Sequence, residues 1–323
     1  MPSESLLSLI TAIRKGREDY LIAETAESLL EQRLPIGWIL EWLIQEDGED
    51  PALEGIVRKF TSGDKRVRYD ANGTALGPGG TRTLALWRAR GELIRTLDSD
   101  DLLLPGALAT QINLFTTYPD IQWSVTQPNE LLPDNSQVPY RSTLAFGAVP
   151  PGSLNRNMAK YGRCPVHCAG LMMRVDVARA FGGWMGLPVG EDVGLLAAIS
   201  EVFVGWHDPA VTWLYRRHHA QTTRTVLRPF WRTLGETAGA QRSAAISRLG
   251  LTAASTSDCT AGPAWRWTGH PRVAQPDSVS ESCPPGSEPL RAVARIRVTA
   301  SRAFARRDRG ARSVRGRSGS ARR

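Results

Sequence analysis

Residues 93–101 read Leu93-Ile94-Arg95-Thr96-Leu97-Asp98-Ser99-Asp100-Asp101, a short apolar run that ends on three carboxylates in four residues. The run, 93–97, has the character of a buried strand in a parallel sheet. At a strand end, residues of one parity point the same way, so Asp98 and Asp100 can reach one ligand. Hard carboxylate oxygens at this spacing suit Mg2+ or Mn2+, with phosphates completing the shell. A plainer role also fits: Ser99, Asp100 or Asp101 as N-cap of the helix that Pro105 opens and that runs through Phe115.

Upstream, strand-like and helix-like segments alternate. Residues 6–13 form a nearly continuous apolar run, a first strand. Leu21, Ile22, Ala26, Leu29 and Leu30 share one face of a helix that Pro35 and Gly37 end. Residues 38–44 make a second buried strand, stopping at Gln45-Glu46-Asp47-Gly48, and 67–69 a weak third. A Gly-rich turn (Gly77, Gly79, Gly80) leads into a helix bearing Leu84 to Trp87, and 121–125 form a further strand. This rhythm predicts an α/β fold with a mostly parallel central sheet and helices on both faces. Such sheets bind ligands at the carboxyl ends of their strands, where Glu46-Asp47 and Asp98 to Asp101 fall.

Downstream the pattern loosens. Frequent Pro and Asn over 127–157 predict a long loop. Residues 169–173 suit a strand, 175–181 a helix ended by Gly182-Gly183, and 191–201 a helix opened by two acids. Residues 211–215 suit an edge strand leading into Arg216-Arg217-His218-His219.

The chain has 323 residues, 41% apolar and 22% charged, a globular balance. Residues 1–250 carry 26 basic and 27 acidic side chains, and residues 251–323 carry 14 and 5. The basic character therefore belongs to the tail, which is rich in Ser, Gly, Pro, Ala and Arg, holds no Lys and shows no apolar periodicity. It reads as disordered, either a native tail or the translation of a frame-shifted segment. An Arg-rich nucleic-acid-binding role through this tail competes for the chain's function. The near-neutral body and the sparse aromatics, Trp265, Trp267 and Phe304, argue against it and against any specific nucleic-acid partner. No apolar run approaches the roughly 20 residues that span a bilayer. The start, with Glu4 and no cationic stretch, does not read as a secretory signal, and four cysteines make no disulfide framework. A cytoplasmic protein is expected.

The order of these motifs carries a resemblance. Thr11-Ala12 ends the first strand and Glu46-Asp47-Gly48 the second. Gly80-Thr81-Arg82-Thr83-Leu84-Ala85-Leu86-Trp87-Arg88-Ala89-Arg90-Gly91-Glu92 then precedes Leu97-Asp98-Ser99-Asp100-Asp101, with Gly182-Gly183-Trp184, Gly190-Glu191-Asp192 and Tyr215-Arg216-Arg217-His218 following. Over about residues 5–225 the chain resembles the family-2 glycosyltransferases, nucleotide-sugar-dependent enzymes of the GT-A fold. The resemblance implies a GT-A domain over 1–250. Its nucleotide-sugar half covers about 1–125 and its acceptor half about 126–225, with a helix to about 250. It also implies an inverting, metal-dependent transfer from a UDP-, GDP- or dTDP-sugar to an acceptor hydroxyl or amine on a small molecule, glycan or lipid-linked sugar. Thr11 and Ala12 would line the base pocket and Asp47 would bond base or ribose. Arg82, Asp98 and Ser99 would lie by the nucleotide, and Asp100, with Asp98, would hold Mg2+ or Mn2+. Thr81 and Thr83 flank Arg82 where the family more often has Ala and Asn.

In the resembling family the Glu-Asp pair lies at the acceptor side. Asp192 is the expected base, taking the acceptor's proton, and Glu191 orients the acceptor or its neighbours. Two acids at a helix N-terminus would also be explained by the helix dipole alone. His218-x-x-Gln221-Thr222 matches a family pattern, giving His218 a metal role and Arg217 a diphosphate role; a solvated strand end is the plain reading. Trp184 is expected to stack on a sugar or sit in the core, and His167 and Cys168 to line the acceptor cleft or sit in the core. Cys164 and Cys168 flank His167, but no second ligand pair with zinc-finger spacing follows. A nucleotidyltransferase is the competing enzyme reading, and Lys15-Gly16-Arg17 is only a faint version of the phosphate loop it needs.

Overall fold

A strand that is apolar on both faces is stable only where helices cover both. The computed structural model, which describes residues 4–14, 16, 21–219, 221 and 228–250, builds that arrangement around β1 (Ser5–Ile13). The chain divides into two units, Met1–Gly262 and Pro263–Arg323, and every described residue lies in the first. The readings of the tail and of Lys15 and Arg17 fall outside the described residues.

Along the chain α1 (Leu21–Leu30), β2 (Trp38–Glu46), α2 (Leu53–Phe60), β3 (Val67–Ala71), α3 (Gly77–Arg88), β4 (Leu93–Thr96), β5 (Leu102–Leu103) and α4 (Ala107–Thr117) follow. Then come β6 (Trp123–Leu131), β7 (Gln137–Pro139), β8 (Gly147–Val149), α5 (Ser153–Tyr161), a 3-10 turn (Cys168–Gly170) and β9 (Met172–Arg174). The last elements are α6 (Val175–Ala180), α7 (Glu191–Val202), β10 (Gly205–Arg216) and α8 (Arg228–Arg248). One sheet runs β3-β2-β1-β4-β9-β6-β10-β5, with β7 on β6 and β8 on β10. Strands β1 to β4 pair in parallel, as do β6 and β10, and β9 runs antiparallel between β4 and β6. Among the described residues, all strands of four or more residues therefore share one direction, and their carboxyl ends meet at one edge.

Alternation of side chains splits the core in two. Leu7, Leu9, Trp42 and Ile44 pack with Ile22 and Leu29 of α1, Leu53 of α2 and Ile112 of α4. Ile10, Leu43 and Ile94 face the other way, onto Leu86 of α3 and Leu195 and Ile199 of α7.

The second half is more regular than its composition suggests. The loop expected over 127–157 holds the end of β6, then β7, β8 and α5. Pro128, which cannot donate to a ladder, sits in β6 where the register with β10 shifts between Val211 and Trp213. The expected edge strand at 211–215 is the end of β10, an interior strand between β6 and β5. The expected strand at 169–173 is the 3-10 turn followed by β9. Short α2, with Leu53 and Val57 four apart as its buried stripe, carried no sequence expectation. Gly77, Gly79 and Gly80 form the first turn of α3 itself and not a turn before it. Gly79 is required by contact: a Cβ there would lie 1.9 Å from the Met185 carbonyl oxygen and 3.1 Å from Glu191 Cβ.

Candidate active site

The acidic loop after β4 does not cap α4. The N-cap of that helix is Gly106, with a left-handed φ of 77°, and no side chain caps it. The loop is instead one wall of a cleft of about 1470 Å³ at the carboxyl edge, lined also by Ala12, Asp47, Arg82, Glu191 and Asp192. His167, Arg217 and His218 complete the wall from the second half.

Oxygens of Asp98, Asp100 and Asp101 lie within 4.8 Å of one another. Asp101 is buried; its Oδ1 accepts the Arg216 main-chain N–H at 3.0 Å, and its Oδ2 is buried with no partner. Burial, then the charges of Asp100 and Asp98, push the Asp101 carboxyl well above the usual range. The His218 ring Nε2 meets Asp100 Oδ2 at 2.7 Å. Crowded hard oxygens beside an imidazole, one oxygen orphaned, are a donor set that fits a divalent cation.

Arg82 spans the cleft floor. Its Nη2 donates to Asp98 Oδ1 at 2.6 Å and its Nη1 to Glu191 Oε1 at 2.5 Å. Burial works against the guanidinium, but the carboxylates of Asp98, Glu191 and Asp192 hold its pKa above the ordinary value. Glu191, the first residue of α7, is buried; burial and then Asp192 push it up to about 7, although Arg82 pulls the other way. Asp192 is half-buried, lines the cleft and accepts the N–H of its neighbour Val193 at 2.7 Å.

Asp47 lines the cleft but spends one oxygen on the fold. Its Oδ1 accepts the N–H groups of Leu76 at 2.6 Å and Gly77 at 2.9 Å and the Thr81 hydroxyl at 3.1 Å, capping α3 from another strand.

Two expected site residues stand away from the cleft. Thr11 is fully buried: its hydroxyl donates to Leu97 O at 2.8 Å and accepts Trp42 Nε1–H at 2.9 Å. Its neighbours Ala12, Ile13 and Arg14 line the cleft instead. Trp184 is 4% exposed and packs in the second core cluster, so it presents no face for a sugar. Its main-chain N–H and C=O both bond the Thr83 hydroxyl, at 3.0 and 3.1 Å.

His167 lies edge-on to Tyr140 and against Tyr215, ring centroids 5.7 and 4.4 Å apart, and burial pushes its pKa down. Arg217 pairs with Glu130 at 3.1 Å, beside the Tyr215 ring. Cys164 and Cys168 also line the cleft, their sulfurs 3.8 Å apart. Tyr140, Tyr215, Glu130 and the α8 face bearing Glu236 and Ser243 carried no site expectation. Only the Tyr215-Arg216-Arg217-His218 string flagged any of them.

The glycosyl transferase family 2 model matches residues 12–182, more than half of the chain. The chain belongs to glycosyl transferase family 2. It is 30% identical over 116 residues to an uncharacterised glycosyltransferase of Methanocaldococcus jannaschii, covering 36% of this chain and 39% of that protein. It is 35% identical over 72 residues to the GalNAc(5)-diNAcBac-PP-undecaprenol β-1,3-glucosyltransferase of Campylobacter jejuni, covering 22% and 23% of the two chains. The chain thus spans well under half the length of these relatives. Residues 1–349 of S. aureus TarS in complex with UDP-GlcNAc superpose with a TM-score of 0.57 at 16% identity, over 72% of this chain and 66% of that one. The UDP complex of the same protein gives 0.52 at 18% identity, over 65% and 60%. The shared architecture is the GT-A fold.

Two outcomes follow for this family-2 chain. Thr11→Val should cost about 1–3 kcal/mol by orphaning Trp42 Nε1 and Leu97 O, yet leave nucleotide affinity unchanged, as read by urea melts and calorimetry. Glu191 holds its proton more tightly folded than unfolded between its ordinary 4.5 and about 7, so its contribution to stability falls as pH rises through that window. The melting temperature of Glu191→Gln relative to the parent should therefore climb from about pH 4.5 to about pH 7. A constant difference across that range would contradict the assigned environment.

Proposed function

We propose that the chain is an inverting, metal-dependent glycosyltransferase that moves a sugar from a nucleotide-sugar donor to an acceptor hydroxyl or amine. The observation that carries this reading is a single cleft holding a carboxylate cluster on one wall and an accessible carboxylate, Asp192, on the other. The family membership supports glycosyl transfer as the reaction class. The UDP and UDP-GlcNAc complexes of the TarS fold neighbour favour a UDP-sugar over GDP- and dTDP-sugars. The acceptor is a small molecule, a glycan or a lipid-linked sugar, and the name of the Campylobacter relative favours the last. No helix among the described residues is long and apolar enough to cross a membrane, so a lipid-linked acceptor would be met at the membrane surface. We assign the transferase to residues 1–250, acting in the cytoplasm, with 251–323 as an appendage.

Asp100, with Asp98 and His218, would hold Mg2+ or Mn2+, which supplies positive charge against the departing diphosphate. Arg217, at the same cleft wall, can donate paired hydrogen bonds to phosphate oxygens. Asp192 takes the proton of the acceptor hydroxyl as its oxygen bonds the anomeric carbon. The anomeric C–O bond to the diphosphate breaks with its electron pair leaving on the nucleotide, and attack from the opposite face inverts the centre. Glu191, tied to Arg82, fixes the start of α7 from which Asp192 projects. Ala12, Asp47 and Ser99, which line the same cleft, would meet the base and ribose.

Titrating UDP, GDP and dTDP into the full chain with Mn2+, and again with EDTA, tests the donor site. Metal-dependent binding of UDP is expected, and a folded protein that binds none of the three would overturn the reading. Asp192→Asn should keep UDP affinity and lose about 100-fold or more in transfer rate; near-parent turnover would remove Asp192 as the base.

A further inference from the structure

Along the end of β10 successive side chains alternate between cleft and interior. Tyr215 and Arg217 line the cleft, and so does His218 just past the strand, but Arg216 does not. It lies behind the acidic loop, its side chain only 15% exposed. Three of its groups grip that loop or its support. The main-chain N–H donates to Asp101 Oδ1 at 3.0 Å, and Nε donates to the Asp100 carbonyl at 2.9 Å. Nη2 reaches past the loop to Glu24 on α1. From the α1 side, the Thr25 hydroxyl lies 3.0 Å from Ser99 O and 2.9 Å from Asp101 O.

We infer that Arg216 is a positioning residue for cation binding: it clamps the acidic loop between α1 and β10, so that Asp100 and His218, 2.7 Å apart, are held together as candidate ligands of one ion. The inference rests on the metal-site reading above. Carboxylate rotamers are soft, so where Asp100 points is decided largely by its own peptide, and that peptide is what Arg216 Nε holds. The same residue sets the strand end from which His218 projects, two positions on. Loss of such outer contacts elsewhere weakens metal binding about 10- to 100-fold. Lysine keeps the charge but cannot bond the Asp100 carbonyl and Glu24 together through a planar fork.

The test is Mn2+ affinity of the full chain, with and without UDP, followed by calorimetry or electron paramagnetic resonance. Arg216→Lys and Arg216→Met should both weaken Mn2+ about 10-fold or more. Raising Mn2+ should restore turnover in both, whereas a merely structural defect would show as a lowered metal-free melting temperature that Mn2+ does not rescue. Glu24→Gln, at a half-exposed position outside the cleft, should weaken Mn2+ by a smaller factor and decides the matter if the Arg216 variants do not fold. Parent-like Mn2+ affinity in the folded variants would overturn the inference alone. A parent protein that binds no Mn2+ would overturn the metal site, and the inference with it.

Discussion

Arg82 holds the two walls of the cleft together. Its guanidinium lies between Asp98, at the end of β4, and Glu191, at the start of α7, residues 93 positions apart in sequence. Removing Arg82 would leave both carboxylates without the cation that joins them, so the geometry of both walls depends on where α3 sits. Much of the surrounding structure sets that position. Asp47 caps the first turn of α3 from β2, and Gly79 lets α3 approach Met185 and Glu191 closely. Thr83 bonds both main-chain groups of Trp184, fixing the segment that leads to α7. The two threonines that flank Arg82 are thus explained by local chemistry. Thr81 ties α3 to Asp47 and to Asn72, and Thr83 ties it to the Gly182-Gly183-Trp184 turn.

The acidic loop poses the opposite problem, since like charges must be held close without a pair for each. The interior provides part of the answer. Arg95, on the same strand and fully buried, makes no ion pair among the described residues and bonds Gln111 Oε1 at 2.6 Å. Burial lowers it to about 10, and Asp101 and then Asp98 oppose that fall, so it stays charged at neutral pH. Its field acts from beneath the loop while Arg82 acts from the cleft side. Asp101, with one oxygen orphaned, remains the group least able to carry charge.

Most of the first half of the fold was legible because β1, β2 and β4 are nearly continuous apolar runs and α1 carries a clear stripe, whereas short α2 offers only Leu53 and Val57. The motifs at their carboxyl ends, Asp47 and Asp98 to Asp100, were legible for the same reason: a parallel sheet gathers them at one edge. The second half was not, because β6 and β10 mix polar residues and prolines with apolar ones. Gln127 and His207 bond each other inside the sheet, a satisfaction that composition cannot reveal. Thr11 misled because a hydroxyl at a strand end can face either side. Its parity relative to Trp42 and Leu97, and not its type, sends it inward. Trp184 takes the second of its two expected places, the core, because two glycines before an aromatic suit a tight turn onto α3 as well as a ligand platform.

Glu191 and Asp192 stand side by side on α7, yet the fold gives them different chemistry. Glu191 is buried against Arg82, so moving its proton or its charge during a reaction would disturb the contact that holds the cleft walls together. Asp192 is half-buried, with one oxygen steadied by the Val193 N–H and its side chain on the cleft. A base must change protonation state once per turnover without moving the scaffold, and of the pair only Asp192 meets that condition. The helix start serves both roles, because the N-terminal dipole of α7 favours negative charge at either residue. Adjacent positions along a helix point about 100° apart, so one acid can anchor α7 to α3 while its neighbour faces the cleft.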